Sequence, residues 1–226
     1  MKIIDEAVKC GRTALSEFES KKLLAQYNIP VTREILVESM ESLREAVEEI
    51  GYPVVLKGCS PEIAHKTEKG LIRVDIRNGD EAFSAFKEIT AEMKGSGKFV
   101  LVQEMVQGKR ELVAGLTRDP QFGPCVMFGL GGIFTEVLND VSFRAAPLEE
   151  SDAMEMMREI RGHKILGAVR GMEPADMTML ADILIAIGKI GVENENIAEI
   201  DINPLIITGN RPVAVDALVV LGSSRK

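Results

Sequence analysis

The segments Ile200-Asp201-Ile202-Asn203-Pro204-Leu205, Gly209-Asn210 and Val213-Ala214-Val215-Asp216 set oxygen donors on two apolar runs joined by a turn. Asn and Gly in a two-residue connection between apolar runs are the strongest short-range hairpin signal. With Gly209 and Asn210 as the loop, Thr208 faces Arg211, and counting back sets Asn203 opposite Asp216. Side chains alternate along a strand, so Asp201 and Asn203 share a face. Such a hairpin brings carboxylate and amide oxygens to one point, the donors Mg²⁺ takes together with phosphate and water. Pro204 and Pro212 interrupt regular pairing, and a bulge there would shift the register by one. The alternative is an edge hairpin with ordinary turn-forming Asp and Asn.

Other residues invite chemistry less directly. Lys57 ends the apolar run Pro53-Val54-Val55-Leu56. Its ammonium either snorkels to solvent or meets an anion, with phosphate the natural point-charge partner. His65 lies in the polar segment Ser60-Pro61-Glu62-Ile63-Ala64-His65-Lys66-Thr67. There it is either simply exposed or a nucleophile toward phosphorus, in a loop suited to carrying a phosphoryl group between sites. His163 reads as the tail of a helix, with no chemistry assigned. Gln103-Glu104-Met105-Val106 is either ordinary linker sequence or a strand whose backbone hydrogen-bonds an adenine edge while Glu111 takes a ribose hydroxyl. Gly129-Leu130-Gly131-Gly132 fails the dinucleotide fingerprint, because Phe134 stands where Gly or Ala is required. Gly95-Ser96-Gly97-Lys98 lacks the flanking residues of a Walker A loop.

Composition narrows the classes. The 226 residues can bury a core as one large domain or two lobes, and hydrophobic content of 46% is that of a soluble globular protein. A net charge of −8 and a pI near 5 argue against nucleic-acid or anionic-membrane binding. Cys10, Cys59 and Cys125 are widely spaced, which fits reduced thiols in a cytoplasm and gives no zinc pattern. No apolar run approaches a membrane span, and the first residues carry no signal-peptide core.

The elements that must hold these residues follow from periodicity. Helices are expected over 16–27, over a stretch from Ser42 with a Ser42/Glu45 capping box, and over a stretch capped by Asp80. Strands are expected at 31–37, 54–57, 71–76 and 99–102. Beyond Gly108 come hairpins: 111–117 with 125–129, then 134–138 with 141–145 across Asn139-Asp140. Helices over 149–160 and 175–190 follow, the second opened by Pro174, and the donor hairpin ends the pattern. This is α+β, with lobes at 1–106 and 107–226, a join near 103–110, and a ligand in the cleft.

The order of these motifs is more specific than any one. Ser16-Glu17-Phe18-Glu19-Ser20-Lys21, Tyr27-Asn28-Ile29-Pro30-Val31 and Gly51-Tyr52-Pro53-Val54-Val55-Leu56-Lys57 resemble the opening of an ATP-grasp domain. With the His65 segment, Gly129–Leu138 and Glu199–Leu205, the chain resembles the ATP-grasp β subunit of ADP-forming acetyl-CoA synthetases, relatives of succinyl-CoA synthetase. The resemblance implies two α+β lobes with largely antiparallel sheets and ATP or ADP between them. It implies that Lys57 holds phosphate oxygens, Glu104 and Val106 the adenine edge, Glu111 the ribose, and Asn203 and Asp216 a Mg²⁺ ion, with Asp201 a weaker ligand. His65 becomes the second phosphohistidine of a relay, receiving phosphate from a CoA-binding α subunit in an α₂β₂ assembly and passing it to ADP. Relatives follow the histidine with Asp-x-Gly-Gly-Val. Here Glu68-Lys69-Gly70-Leu71-Ile72 replaces it, which implies a stiffer or differently shaped loop. Two other readings are a stand-alone ATP-grasp carboxylate ligase working through an acyl phosphate and a regulatory nucleotide-binding module without turnover.

Overall fold

The computed structural model describes residues 2–60, 70–93, 98–132 and 140–222. His65 and its neighbours, Gly95–Gly97 and the expected strand at 134–138 lie outside the described residues. The elements run α1 (Lys2–Lys9), α2 (Glu17–Gln26), β1 (Glu34–Val37), α3 (Met40–Ile50), β2 (Val54–Cys59), β3 (Ile72–Ile76), α4 (Gly79–Glu92) and β4 (Phe99–Glu104). Then come β5 (Arg110–Asp119), β6 (Gly123–Leu130), β7 (Val141–Ala145), α5 (Glu150–Glu159), a 3₁₀ turn (His163–Leu166), α6 (Met177–Glu193), β8 (Ile197–Thr208), β9 (Arg211–Ala214) and β10 (Ala217–Leu221). The fold is α+β, and every pair of named strands is antiparallel.

The chain forms two compact units, Ser16–Phe18 with Thr32–Val106, and Met1–Leu15 with Glu19–Val31 and Gln107–Lys226. The smaller unit is a four-stranded sheet, order β1-β4-β2-β3, with α3 and α4 on one face. Leu43, Val47 and Ile50 of α3 and Phe86 and Ile89 of α4 bury against Val54, Leu56, Val100 and Val102. Strand alternation therefore turns Val55, Lys57, Leu101 and Gln103 to the other face. The larger unit has a sheet of order β10-β8-β5-β6-β7, with β9 paired to β8. Its helical side is filled by Met156 and Met157 of α5 and Leu180, Ile183, Leu184 and Ile187 of α6, and Ile4, Leu23 and Leu24 join the same core. The amino-terminal helices thus pack with the second half of the chain.

Local starts differ from expectation by a few residues, each for a hydrogen-bonding reason. Helix α3 is capped by Ser39, which exchanges a capping box with Ser42, rather than by Ser42 with Glu45. Asn78, not Asp80, caps α4, its Oδ1 accepting from Glu81 N–H at 3.0 Å. Asp176 caps α6 by accepting from Met179 N–H at 2.9 Å, so Pro174 precedes the helix rather than opening it. The β5–β6 hairpin forms as expected, with Thr117 opposite Cys125 and Val113 opposite Gly129. Strand β7 pairs with β6, Met127 opposite Phe143, among the described residues. No helix of the described residues is long and apolar enough to cross a membrane.

The glycine-rich turn after β6 answers to packing. Gly131 N–H donates to Glu111 C=O at 2.8 Å, and a Cβ at Gly131 would stand 2.8 Å from Leu112 O and Glu111 C, both backbone atoms. Contacts this short with backbone must be relieved by moving β5. Gly131→Ala is therefore expected to lose roughly 1–3 kcal/mol. The check is a lower urea midpoint at unchanged slope, with Gly123→Ala, which meets nothing within 4 Å, losing about 1 kcal/mol through its positive φ alone.

Candidate functional site

In the larger unit the donor hairpin forms with the expected register. Thr208 pairs with Arg211 and Leu205 with Ala214, then Ala217 with Ile202 and Leu218 with Asp201. Between them, Asn203 N–H donates to Asp216 C=O at 3.3 Å and Val215 N–H to Pro204 C=O at 3.0 Å. Asn203 thus lies opposite Asp216, and neither Pro204 nor Pro212 shifts the hairpin. The irregularity falls on the other side of β8. Leu112 pairs with Leu205 but Ala114 with Ile202, so Asn203 and Pro204 together oppose one residue of β5, which is a bulge.

That bulge sets which side chains face outward. Ile200, Ile202, Leu205 and Ile207 all enter the core, although a plain strand would turn Ile202 and Leu205 to opposite faces. Ala214 and Ala217 enter it too, so the returning chain makes the same adjustment at Val215-Asp216. Because both strands gain a residue at one level, their mutual register survives. Glu199, Asp201, Asn203 and Asp216 are left on the face away from the helices.

The electrostatics match a cation site. Asp201 is pushed up to about 6, first by burial, then by the charges of Glu199 and Asp216. Among the described residues no three His, Cys, Asp or Glu side chains make a metal site by themselves. The hairpin offers two carboxylates and the amide of Asn203, hard oxygen donors that fit Mg²⁺ rather than a soft metal. Also in this unit, Glu111 is exposed, and its carboxylate Oε2 would lie 2.7 Å from a Cβ on Gly132.

The smaller unit holds Lys57, Glu104 and Val106. Lys57 does not snorkel. It is 4% exposed and donates to Oε1 of Glu17, also 4% exposed, at 2.7 Å. Losing one partner of such a pair costs about 3–5 kcal/mol, because the other charge stays buried. Glu104 sits at the end of β4 opposite Val54, on the helix-bearing side of the sheet, away from Lys57. Its carboxylate accepts from Arg33 N–H at 2.8 Å and Arg33 Nε at 2.9 Å, and its N–H donates to Arg33 C=O. Val106, just beyond the end of β4, is half-buried.

Sequence reasoning missed the polar face of α2. Glu17 meets Lys57, Ser20 Oγ accepts from Val219 N–H at 3.1 Å, and Lys21 Nζ donates to Val215 C=O at 3.3 Å. All three side chains are buried, at i, i+3 and i+4. The legible signal was polar residues at helical spacing on a helix without a clean apolar stripe. His163, in the 3₁₀ turn, pairs its Nδ1 with Ile160 C=O at 3.0 Å.

A family model of the ATP-grasp domain matches residues 6–221. The chain belongs to the ATP-grasp family. It is 42% identical over 227 residues to subunit beta of ADP-forming acetate–CoA ligase I of Pyrococcus furiosus, with 96% of each chain covered. A structure of the dinucleotide-forming acetyl-coenzyme A synthetase 1 of Ca. Korarchaeum cryptofilum, in complex with coenzyme A, Ca-AMPCP and HgCl⁺, superposes with a TM-score of 0.93 at 44% identity, covering 98% of this chain and 99% of that one. A second structure of that enzyme, with coenzyme A and Mg-AMPPCP and its phosphohistidine segment pointing towards the nucleotide binding site, gives 0.87 at 44% identity and the same coverage.

The raised Asp201 has a measurable consequence in this ATP-grasp chain. Its folded value of about 6 lies above the ordinary 3.8, so the folded state holds the proton longer than the unfolded state does. Stability from this group is complete below pH 3.8 and is lost as pH rises to about 6, leaving a cost of at most about 3 kcal/mol above it. With divalent cations chelated, Asp201→Asn should therefore melt several degrees above the wild type at pH 7.5, and the gap should close below pH 4. A gap independent of pH would contradict the assignment.

Proposed function

We propose that the chain is the nucleotide-binding β subunit of an ADP-forming acyl-CoA synthetase, moving a phosphoryl group between His65 and ADP. The observation that carries this reading is the hairpin, which sets Asn203, Asp216 and Asp201 on one face in a chain of this family. The relative from Pyrococcus furiosus, named a subunit beta, supports an α partner. The Korarchaeum structures support Mg²⁺, a nucleotide and a phosphohistidine segment.

In this account Lys57 holds phosphate oxygens, and the backbone of Glu104 and Val106 reads the adenine edge. Glu111 takes the ribose, and Asn203 and Asp216 hold Mg²⁺, with Asp201 beside them. Mg²⁺, when bound, neutralises charge that builds on the transferring phosphoryl oxygens. A terminal oxygen of ADP attacks phosphorus in line, the new O–P bond forms, and the N–P bond breaks with its electron pair returning to the imidazole of His65. The chain's residues position and neutralise; they supply no redox chemistry. The phosphoryl group reaches His65 from a CoA-binding α subunit, where acyl-CoA and phosphate give an acyl phosphate, in an α₂β₂ assembly. Sequential short transfers keep each step at a preorganised site.

Labelling tests this directly. The chain incubated with γ-phosphate-labelled ATP and Mg²⁺, alone and with its α subunit, should take up acid-labile, base-stable label that disappears in His65→Ala. Acyl-CoA, ADP and phosphate should turn over only with the partner present. Label retained by His65→Ala, or turnover by this chain alone, would overturn the reading.

A further inference from the structure

We infer that Glu17 is a positioning residue for nucleotide phosphate, fixing the bearing of the Lys57 ammonium; this rests on the proposed phosphate contact of Lys57. The lysine lies on β2, on the sheet face turned away from α3 and α4, with Val55, Leu101 and Gln103. It is 4% exposed, so its ammonium has given up most of its water. A desolvated ammonium needs an anion beside it to offset the hydration it has lost. Glu17 is that anion. Its carboxylate oxygen lies 2.7 Å from Nζ, and its side chain is 1% exposed against 5% for the lysine.

Where Glu17 stands matters as much as its charge. It is the first residue of α2, where the unsatisfied N–H groups and the helix dipole favour a carboxylate. A helix end cannot drift as a loop can, and α2 is tied down one turn later. Ser20 accepts from Val219 N–H and Lys21 donates to Val215 C=O, on the strand segment that carries Asp216. A pair that served stability alone would be replaceable by apolar residues of similar volume with little loss. Here the ammonium is also the group a phosphate must meet, so the carboxylate sets where that charge stands.

The test separates phosphate recognition from general integrity by comparing MgADP with adenosine, which lacks every phosphate oxygen. MgADP affinity is read by calorimetry on the full chain, and adenosine affinity by ligand-observed NMR. Glu17→Asp keeps the charge but shortens its reach by one methylene, and Glu17→Gln removes the charge. Each should weaken MgADP roughly tenfold while leaving adenosine unchanged. Equal weakening of both ligands, or no weakening of either, would overturn the positioning role. The double variant Glu17→Gln with Lys57→Met leaves no lone buried charge and guards against a single variant that does not fold. It should bind adenosine normally and MgADP at least tenfold more weakly than the wild type. Wild-type affinity for MgADP in that double variant would overturn the phosphate role of Lys57, and the role of Glu17 with it.

Discussion

Everything at the proposed metal-binding hairpin depends on one constraint, that β8 and the strand returning beside it change face at the same level. A single extra residue in one strand would send half the hairpin's apolar side chains into water. Here the bulge at Asn203-Pro204 against β5 is matched at Val215-Asp216, so Leu205 and Ala214 rejoin the core that Ile202 and Ala217 also enter. The cost is local disruption of the ladder, and the return is a cluster of oxygen donors on an otherwise apolar pair of strands. Asp201 records the consequence, since burial, then the charges of Glu199 and Asp216, push its carboxyl up to about 6.

The proposed phosphate contact in the smaller unit is built on the opposite principle. There the charge is matched within the protein, Lys57 against Glu17, and both are almost wholly buried. Glu104 is likewise occupied, clamped to Arg33 so that its carboxylate secures the end of β4. Acidic groups thus play three parts in this acidic chain. Some gather on one face of a hairpin, one pairs with a lysine, and one locks a strand.

The hairpin register was legible because Gly209-Asn210 fixes the turn, and every pairing is counted from there. The count to Asn203 and Asp216 succeeds only because both strands shift together, which a count cannot see. Helix caps were less legible. Ser39 and Ser42 compete within one turn, as do Asn78 and Asp80, and the choice falls to whichever side chain reaches an orphan N–H. The pairing of Lys57 with Glu17 was not legible, because the two stand 40 residues apart and no local spacing joins them. The motif order, spread over nearly the whole chain, identified the family where single motifs were ambiguous, and the family match over residues 6–221 agrees.

Metal binding at the hairpin tests the central claim most directly. Mn²⁺ is a spectroscopic substitute for Mg²⁺, and its EPR signal separates free from bound ion. Titrated with ADP present, the wild type should hold Mn²⁺ far more tightly than ADP does alone. Asp216→Ala and Asn203→Ala should each return most of the ion to its ADP-only affinity while the fold, read by circular dichroism, persists. Unchanged Mn²⁺ affinity in both folded variants would mean that the paired kink serves the sheet and not the metal.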